Sequence, residues 1–360
     1  MNKEVISDKQ GIYLVIILLV GSSSIMVMGI QAGKDAWLAV LLGIAISFPI
    51  TLIYARLHFI FLGKDLFDIL EICFGKIIGK GICLLYVWFT LHHAALILEN
   101  VGTFINTVSL YRTPIVIPTI VIAIMAMWAV KKGIKVMCEW IVFFLPIIVI
   151  LLGAFVFLLI PRMRINNVLP VMNNGIIPII YGGISVFTFP FAETYVFTMI
   201  FTRFDNKKSP YKIHITGLLI GGFMMYTIAL TNLLVLSVNT VSTVYYPTYL
   251  AATRVKIFNV LQRFEVIIGI VLVLGAFMKI SIFLFASCKG VAKTFGFREY
   301  GFIALPMGLM SINATYFQND SIMEIFEFAE GIWPYYSSVF QVILPCIIWI
   351  AAEIRKKQLN

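Results

Sequence analysis

Tyr181-Gly-Gly-Ile-Ser-Val-Phe-Thr-Phe-Pro-Phe-Ala-Glu-Thr-Tyr195 lies inside an apolar run from Ile176 to Phe201. The run is long enough to cross a bilayer, for which about 20 apolar residues are needed. Yet it holds Gly182-Gly183, Pro190 and an ionisable Glu193. Proline removes a backbone donor and crowds the preceding turn, and glycine weakens a helix. In hydrocarbon, backbone freed in this way must be satisfied by protein, water or ligand, so irregular backbone at that depth lines a cavity. A carboxylate there is expensive and marks a functional site. The plainer alternative is a kinked helix whose Glu193 pairs with a neighbour for packing.

Working outward, the rest of the chain has the same character. Of 360 residues, 61% are hydrophobic and 12% charged, with a mean hydropathy of +0.99. Soluble domains carry about 25% charged residues, so the composition describes an all-α polytopic membrane protein. Unbroken apolar runs exclude the alternation of a membrane barrel. The net charge of +10 comes from short loops and is no nucleic-acid footprint. Cys73, Cys83, Cys138, Cys288 and Cys346 lack metal-ligand spacing and read as small apolar residues. Phosphate-binding loops, dinucleotide fingerprints, metalloprotease motifs and nucleophile elbows are absent, so no enzyme, metal or cofactor is expected.

Ten transmembrane helices are expected, over 11–30, 36–55, 82–108, 115–130, 136–160, 176–201, 213–236, 259–288, 300–316 and 333–353, within a single transmembrane domain, 1–360. Nineteen lysines and arginines outside the spans, from Lys3 to Lys357, fall on the side of the N-terminus. Seven (Lys34, Arg112, Arg162, Arg164, Arg254, Lys256, Arg263) fall on the other. The positive-inside rule then places both termini in the cytoplasm. Span 1 is interrupted at Gly21-Ser22-Ser23-Ser24, and span 6 is the other broken one. Two groups of five, each opening on a broken helix, form a 5+5 inverted repeat, approximately 9–161 and 174–355, with binding at the midplane.

Further polar residues fall at helical spacing. His92, Glu99, Thr103 and Asn106 share one stripe of span 3, as structural glue or as pathway lining, with His93 off it. Span 8 carries Glu265 and Lys279 on one face, fourteen residues or about 21 Å apart. Gly63–Gly81 reads as an amphipathic surface helix, with Leu66, Ile69, Leu70 and Cys73 together. In 318–331, Asp320, Glu324 and Glu327 oppose Ile322, Ile325, Phe326 and Ala329, as in a short interfacial helix.

Several short motifs carry a resemblance. Gln31-Ala-Gly-Lys-Asp-Ala-Trp37 follows span 1, and Arg112-Thr113-Pro114 opens span 4. Phe189-Pro190-Phe191-Ala192-Glu193 lies in span 6, Tyr246-Pro247-Thr248-Tyr249 precedes span 8, and Arg263-Phe264-Glu265 begins it. In this order, over essentially the whole chain, they resemble the B subunit of the spore germinant receptors, a branch of the amino acid–polyamine–organocation permeases. The resemblance implies a leucine-transporter-like bundle with spans 1 and 6 broken around an amino-acid-sized site. It also implies a complex in the spore inner membrane with an A subunit and a lipoprotein C subunit. In sodium-coupled relatives of this architecture a cation bridges spans 1 and 8; here Lys279 is the candidate substitute, with a static pair to Glu193 or Glu99 as the alternative.

On this reading Gly21, Ser22, Ser23, Ser24, Gly182, Gly183, Ser185, Phe187 and Phe189 line one ligand cavity. Free N–H groups near Ser23 suit a carboxylate, carbonyls from Gly183 to Val186 suit an ammonium, and phenylalanines wall the side chain. Glu193 is expected just beyond the break, acting in gating with Lys279, Glu99 and Glu265. Three functions fit: a receptor subunit sensing an amino acid, a proton-coupled amino acid permease, or a channel or structural subunit.

Overall fold

The computed structural model describes residues 5–255, 263–319 and 321–359. Lys3, Lys256 and Asp320, which entered the charge and amphipathicity readings, lie outside the described residues. Residues 259–262 at the start of expected span 8 also lie outside them; among the described residues each of the ten expected spans corresponds to a helical segment. Eight segments are long and apolar enough to cross a membrane, whereas spans 4 (Val116–Lys132) and 9 (Ala304–Gln318) form helices of 17 and 15 residues.

Span 1 begins at a capping box, in which the Ser7 side chain accepts from the Gln10 backbone and the Gln10 side chain accepts from the Ser7 backbone. It runs helically over Asp8–Val20, breaks at Gly21, and continues as a tight turn over Ser22–Ile25. Span 2 is Ala36–Ile60. The amphipathic segment ahead of span 3 is shorter than expected. The helix opening at Leu66 is interrupted at Gly75, at φ 77° and ψ 173°, a conformation open to glycine alone. Leu66, Phe67, Ile69 and Leu70 are buried before that break, and span 3 then runs to Val108. Span 5 is Ile134–Leu159, span 7 Ser209–Leu236 and span 8 Phe264–Phe295. Within the 318–331 segment a short helix forms over Ile322–Glu327 and leads through a π-helical turn, Phe328–Ile332, directly into span 10 at Trp333.

Packing follows the repeat: span 3 lies along span 8, span 1 along span 7, and span 2 along both 6 and 7. Small residues set the closest approaches. A Cβ on Gly182 would stand 2.9 Å from Ala39 Cβ of span 2, and one on Gly183 would stand 2.8 Å from Leu42 Cδ2. These glycines therefore lie inside a continuous helix, Ile177–Thr188, and serve its contact with span 2. The break in span 6 falls later than expected, at Phe189-Pro190, after which the chain forms a tight turn over Phe191–Tyr195 and a short helix over Val196–Ile200. Proline supplies no N–H to the preceding turn, which ends the first half-helix.

Both described ends of the chain lie at one face of the bundle. There β1, Val5–Ile6, pairs in parallel with β2, Arg203–Phe204, and Lys212 bridges to Asp8 at 2.8 Å. Glu353 of the last helix (Leu344–Leu359) accepts from Arg56 at the end of span 2, at 2.6 Å.

Candidate functional site

The two breaks face each other across span 8. Gly275 and Gly21 touch backbone to backbone, since a Cβ on Gly275 would stand 2.5 Å from Gly21 Cα. One turn further along span 8, this contact delivers Lys279 to the break in span 1, where its ammonium donates to Ser23 Oγ at 3.1 Å. The same nitrogen lies 2.5 Å from Glu193 Oε2 in the break of span 6 and 4.6 Å from the centre of the Phe189 ring. Glu193 Oε1 is 2.7 Å from His93 Nε2. Lys279 and Glu193 are 0% exposed and His93 1%. Four residues from spans 1, 3, 6 and 8 thus form one dry chain of polar contacts, Ser23–Lys279–Glu193–His93.

Aromatic rings enclose it. His93 stacks on Phe283 of span 8 at 4.0 Å and meets Trp333 of span 10 edge-on at 4.7 Å. Trp333 Nε1 in turn donates to Thr188 O, the last carbonyl of the first half of span 6, at 3.4 Å. An ion pair so far from water gains stability only when its remaining hydrogen-bonding positions are filled, and removing one partner is costly. A buried pair of this kind is therefore weak evidence of added stability.

The candidate residues separate into groups. Ser23, Phe189, Glu193 and Lys279 come together. Gly21, Ser22 and Ser24 form the break in span 1, where the Ser24 hydroxyl donates to Gly21 O at 3.1 Å. Ser185 and Phe187 occupy the last turns of the half-helix ending at Thr188, and Ser185 O accepts from Phe189 N at 3.0 Å. Gly182 and Gly183 are removed from the break for the packing reason above. Glu193 sits within the turn of the break, not beyond it. Glu99 is buried, accepts from Asn319 Nδ2 at 2.9 Å, and makes no contact with Lys279. Glu265 lies near Arg263, at 3.6 Å, at the opposite end of span 8 from the termini. Lys279 reaches span 1 through the Ser23 hydroxyl.

His93 was missed as a site residue. It is one position from His92 and hence about 100° around the helix, and a stripe alone does not say which side of span 3 faces the breaks. A second device lies beside span 1. Asn232 Nδ2 of span 7 donates to Thr248 Oγ1 at 2.7 Å, and that hydroxyl donates to Ser24 O at 2.6 Å. Thr248 belongs to a short helix, Pro247–Ala252, between spans 7 and 8.

At the face carrying the termini, Lys289 lies 3.0 Å from Asp65 and donates to the carbonyls of Met199 and Ile200, at 2.9 and 3.2 Å, which end span 6. Lys293 pairs with Asp68. Burial works to raise the Asp65 carboxyl, but Lys289, Lys293 and the Asp68 N–H together hold it below the usual carboxylate range. Among the described residues no cluster of metal-ligating side chains occurs, and the five cysteines are unbridged.

The fold is that of Mhp1, a nucleobase-cation-symport-1 family transporter. The closed form of Mhp1, with bromovinylhydantoin bound, superposes with a TM-score of 0.69 at 11% identity, over 99% of this chain and 91% of that one. The inward-facing form of Mhp1 gives 0.57, over 98% and 76%. Fold and breaks together define a helical membrane protein of the leucine-transporter type. The family profile described as "Spore germination protein" matches residues 5–322, and the chain belongs to that family. It is 27% identical to spore germination protein KB of Bacillus subtilis (strain 168), over 99% of this chain and 97% of that protein.

Proposed function

We propose that the chain is the membrane subunit of a germinant receptor that senses a small zwitterion, an α-amino acid, between the breaks of spans 1 and 6. The observation that carries this reading is Lys279, which touches Ser23 of one break and Glu193 of the other. An ammonium and a carboxylate held side by side are the charge complement of an amino acid. Its carboxylate has Lys279 and the N–H groups around Ser23 as partners, and its ammonium has Glu193. Phe187 and Phe189 adjoin that position.

Lys279 takes the place that a sodium ion fills in sodium-coupled relatives of this architecture. It carries the same charge and up to three hydrogen-bond donors, so it ties span 8 to span 1 without a metal. Exchange of its partners between Glu193 and the ligand then moves the two breaks relative to each other. Membership of the germination family supports a receptor working with an A subunit and a lipoprotein C subunit in the spore inner membrane, and the excess of lysine and arginine on the side of the termini supports a cytoplasmic position for both. A proton-coupled permease uses the same site, and the His93–Glu193 contact favours it as the second reading.

A binding screen of the common amino acids against the purified protein in nanodiscs tests the site. Saturable binding of one of them, lost in Glu193→Gln and Lys279→Met, is expected. No binding in the wild type counts against the amino acid. Uptake of the radiolabelled ligand into liposomes then separates permease from receptor.

A further inference from the structure

Span 10 carries Pro345, which lies C-terminal to Phe340 and Gln341 in the same helix. Proline has no N–H. An α-helix would owe that missing donor to Gln341 O, and a π-helix would owe it to Phe340 O. The chain is π-helical just before it, over Val339–Ile343, and α-helix resumes at Leu344. Either register leaves a carbonyl short of its donor, in a part of the molecule where an unfilled carbonyl is costly. Two tyrosines make up the deficit. Tyr86 of span 3 donates from its hydroxyl to Phe340 O at 3.0 Å, and Tyr54 of span 2 donates to Gln341 O at 2.5 Å. Both tyrosines are fully buried.

The two tyrosines differ in what else they reach. Among the described residues the Tyr86 hydroxyl bonds span 10 alone. The Tyr54 hydroxyl also lies 3.3 Å from Ala192 O, in the turn of the span 6 break that holds Glu193. A phenol has one proton to give, so the two carbonyls compete for it, and the shorter contact assigns it to Gln341 O. Span 10 is tied to the other side of the same break as well, through Trp333 Nε1 and Thr188 O.

We propose that Tyr54 is a positioning residue for the break in span 6, and that its hydroxyl couples this break to span 10 by passing between Gln341 O and Ala192 O. A shift that brings Ala192 O closer takes the proton from span 10 and leaves Gln341 O without a donor, which loosens the π-helical turn. Movement of span 10 acts on the turn around Glu193 through the same contact, since coupling of this kind is reciprocal. Its part in sensing a ligand rests on the reading of Glu193 given above. The coupling itself belongs to the protein without ligand.

Hydrogen exchange of the full chain in nanodiscs, with no ligand present, tests this through the backbone amides of Phe191–Tyr195 and Val339–Ile343. In Tyr54→Phe both turns should exchange about tenfold faster, as for the loss of one buried hydrogen bond. Tyr86→Phe removes a donor from span 10 only, so it should speed Val339–Ile343 and leave Phe191–Tyr195 as in the wild type. Pro345→Ala gives residue 345 an N–H and releases Tyr54 to Ala192 O, so Phe191–Tyr195 should exchange more slowly than in the wild type. In that background Tyr54→Phe should act on Phe191–Tyr195 alone. A merely structural role for Tyr54 would instead speed exchange throughout the bundle, span 5 included. That outcome overturns the proposal, as does a Phe191–Tyr195 turn indifferent to Tyr54→Phe, or an effect on Val339–Ile343 that is the same with and without Pro345. Should Tyr54→Phe fail to fold, Pro345→Ala decides alone, and unchanged exchange at Phe191–Tyr195 overturns the proposal. None of these outcomes depends on an amino acid binding, so the midplane site and this coupling fail separately.

Discussion

Gly275 and Gly21 meet so closely that a methyl group on the first would stand 2.5 Å from the Cα of the second. That contact fixes how deep span 8 sits against the broken helix, and with it the reach of Lys279. Gly275→Ala is therefore expected to push the two helices apart. Overpacking costs about 1–3 kcal/mol, and here both partners are backbone. The thermal transition should fall by several degrees and ligand binding should weaken with it; an unaltered transition would show that the contact has slack.

The buried pair allows a double-mutant cycle. Lys279→Met leaves Glu193 with His93 alone, and Glu193→Gln leaves a buried ammonium with one serine. Each single change should lower stability, by up to the roughly 3–5 kcal/mol seen when one partner of a buried pair is removed. Both proteins should still fold and should not respond to ligand. The double variant should recover most of the stability and none of the response. Strictly additive losses would mean that the two charges do not interact.

Sodium should be dispensable. With Lys279 supplying the positive charge between spans 1 and 8, replacing sodium by choline should change ligand affinity less than twofold. Tighter binding in sodium, by tenfold or more, would return that role to an ion.

Acid should loosen the face that carries the termini. The Asp65 carboxyl is held below its ordinary range, so its contribution is complete above the unfolded value, about 4, and is lost as pH falls through the folded value. The stability difference between wild type and Asp65→Asn should be full at neutral pH and shrink once the medium is more acidic than pH 4. It should stay below the usual cost of breaking a buried pair, because Lys289 keeps the carbonyls of Met199 and Ile200. Denaturant melts of both proteins across pH would reveal it, and a difference independent of pH would rule it out.

The spans and the two broken helices were legible because hydropathy and interruption are local properties of the chain. The place of the second break was not. A glycine pair reads the same whether it ends a helix or lets another helix approach, and Gly182-Gly183 does the latter with Ala39 and Leu42 of span 2. Proline gives a firmer signal, and Pro190 is where the helix ends. Lys279 and Glu193 were visible as charges that a membrane tolerates only with partners. Their joining depends on the Gly21–Gly275 contact, between residues far apart in sequence. His93 was hidden for a similar reason, since neither face of span 3 is uniformly apolar.

The hydrogen bond from Thr248 to Ser24 O ties the membrane-buried break to a helix lying outside the spans. Ser24 cannot move far while Pro247–Ala252 stays in place unless that 2.6 Å bond is given up. Asn232 holds Thr248 from the other side, so the short helix has one rest position set by span 7 and one reporter fixed to span 1. Movement of the break in span 1 is thereby linked to the connection between spans 7 and 8, through one hydroxyl that both sides share.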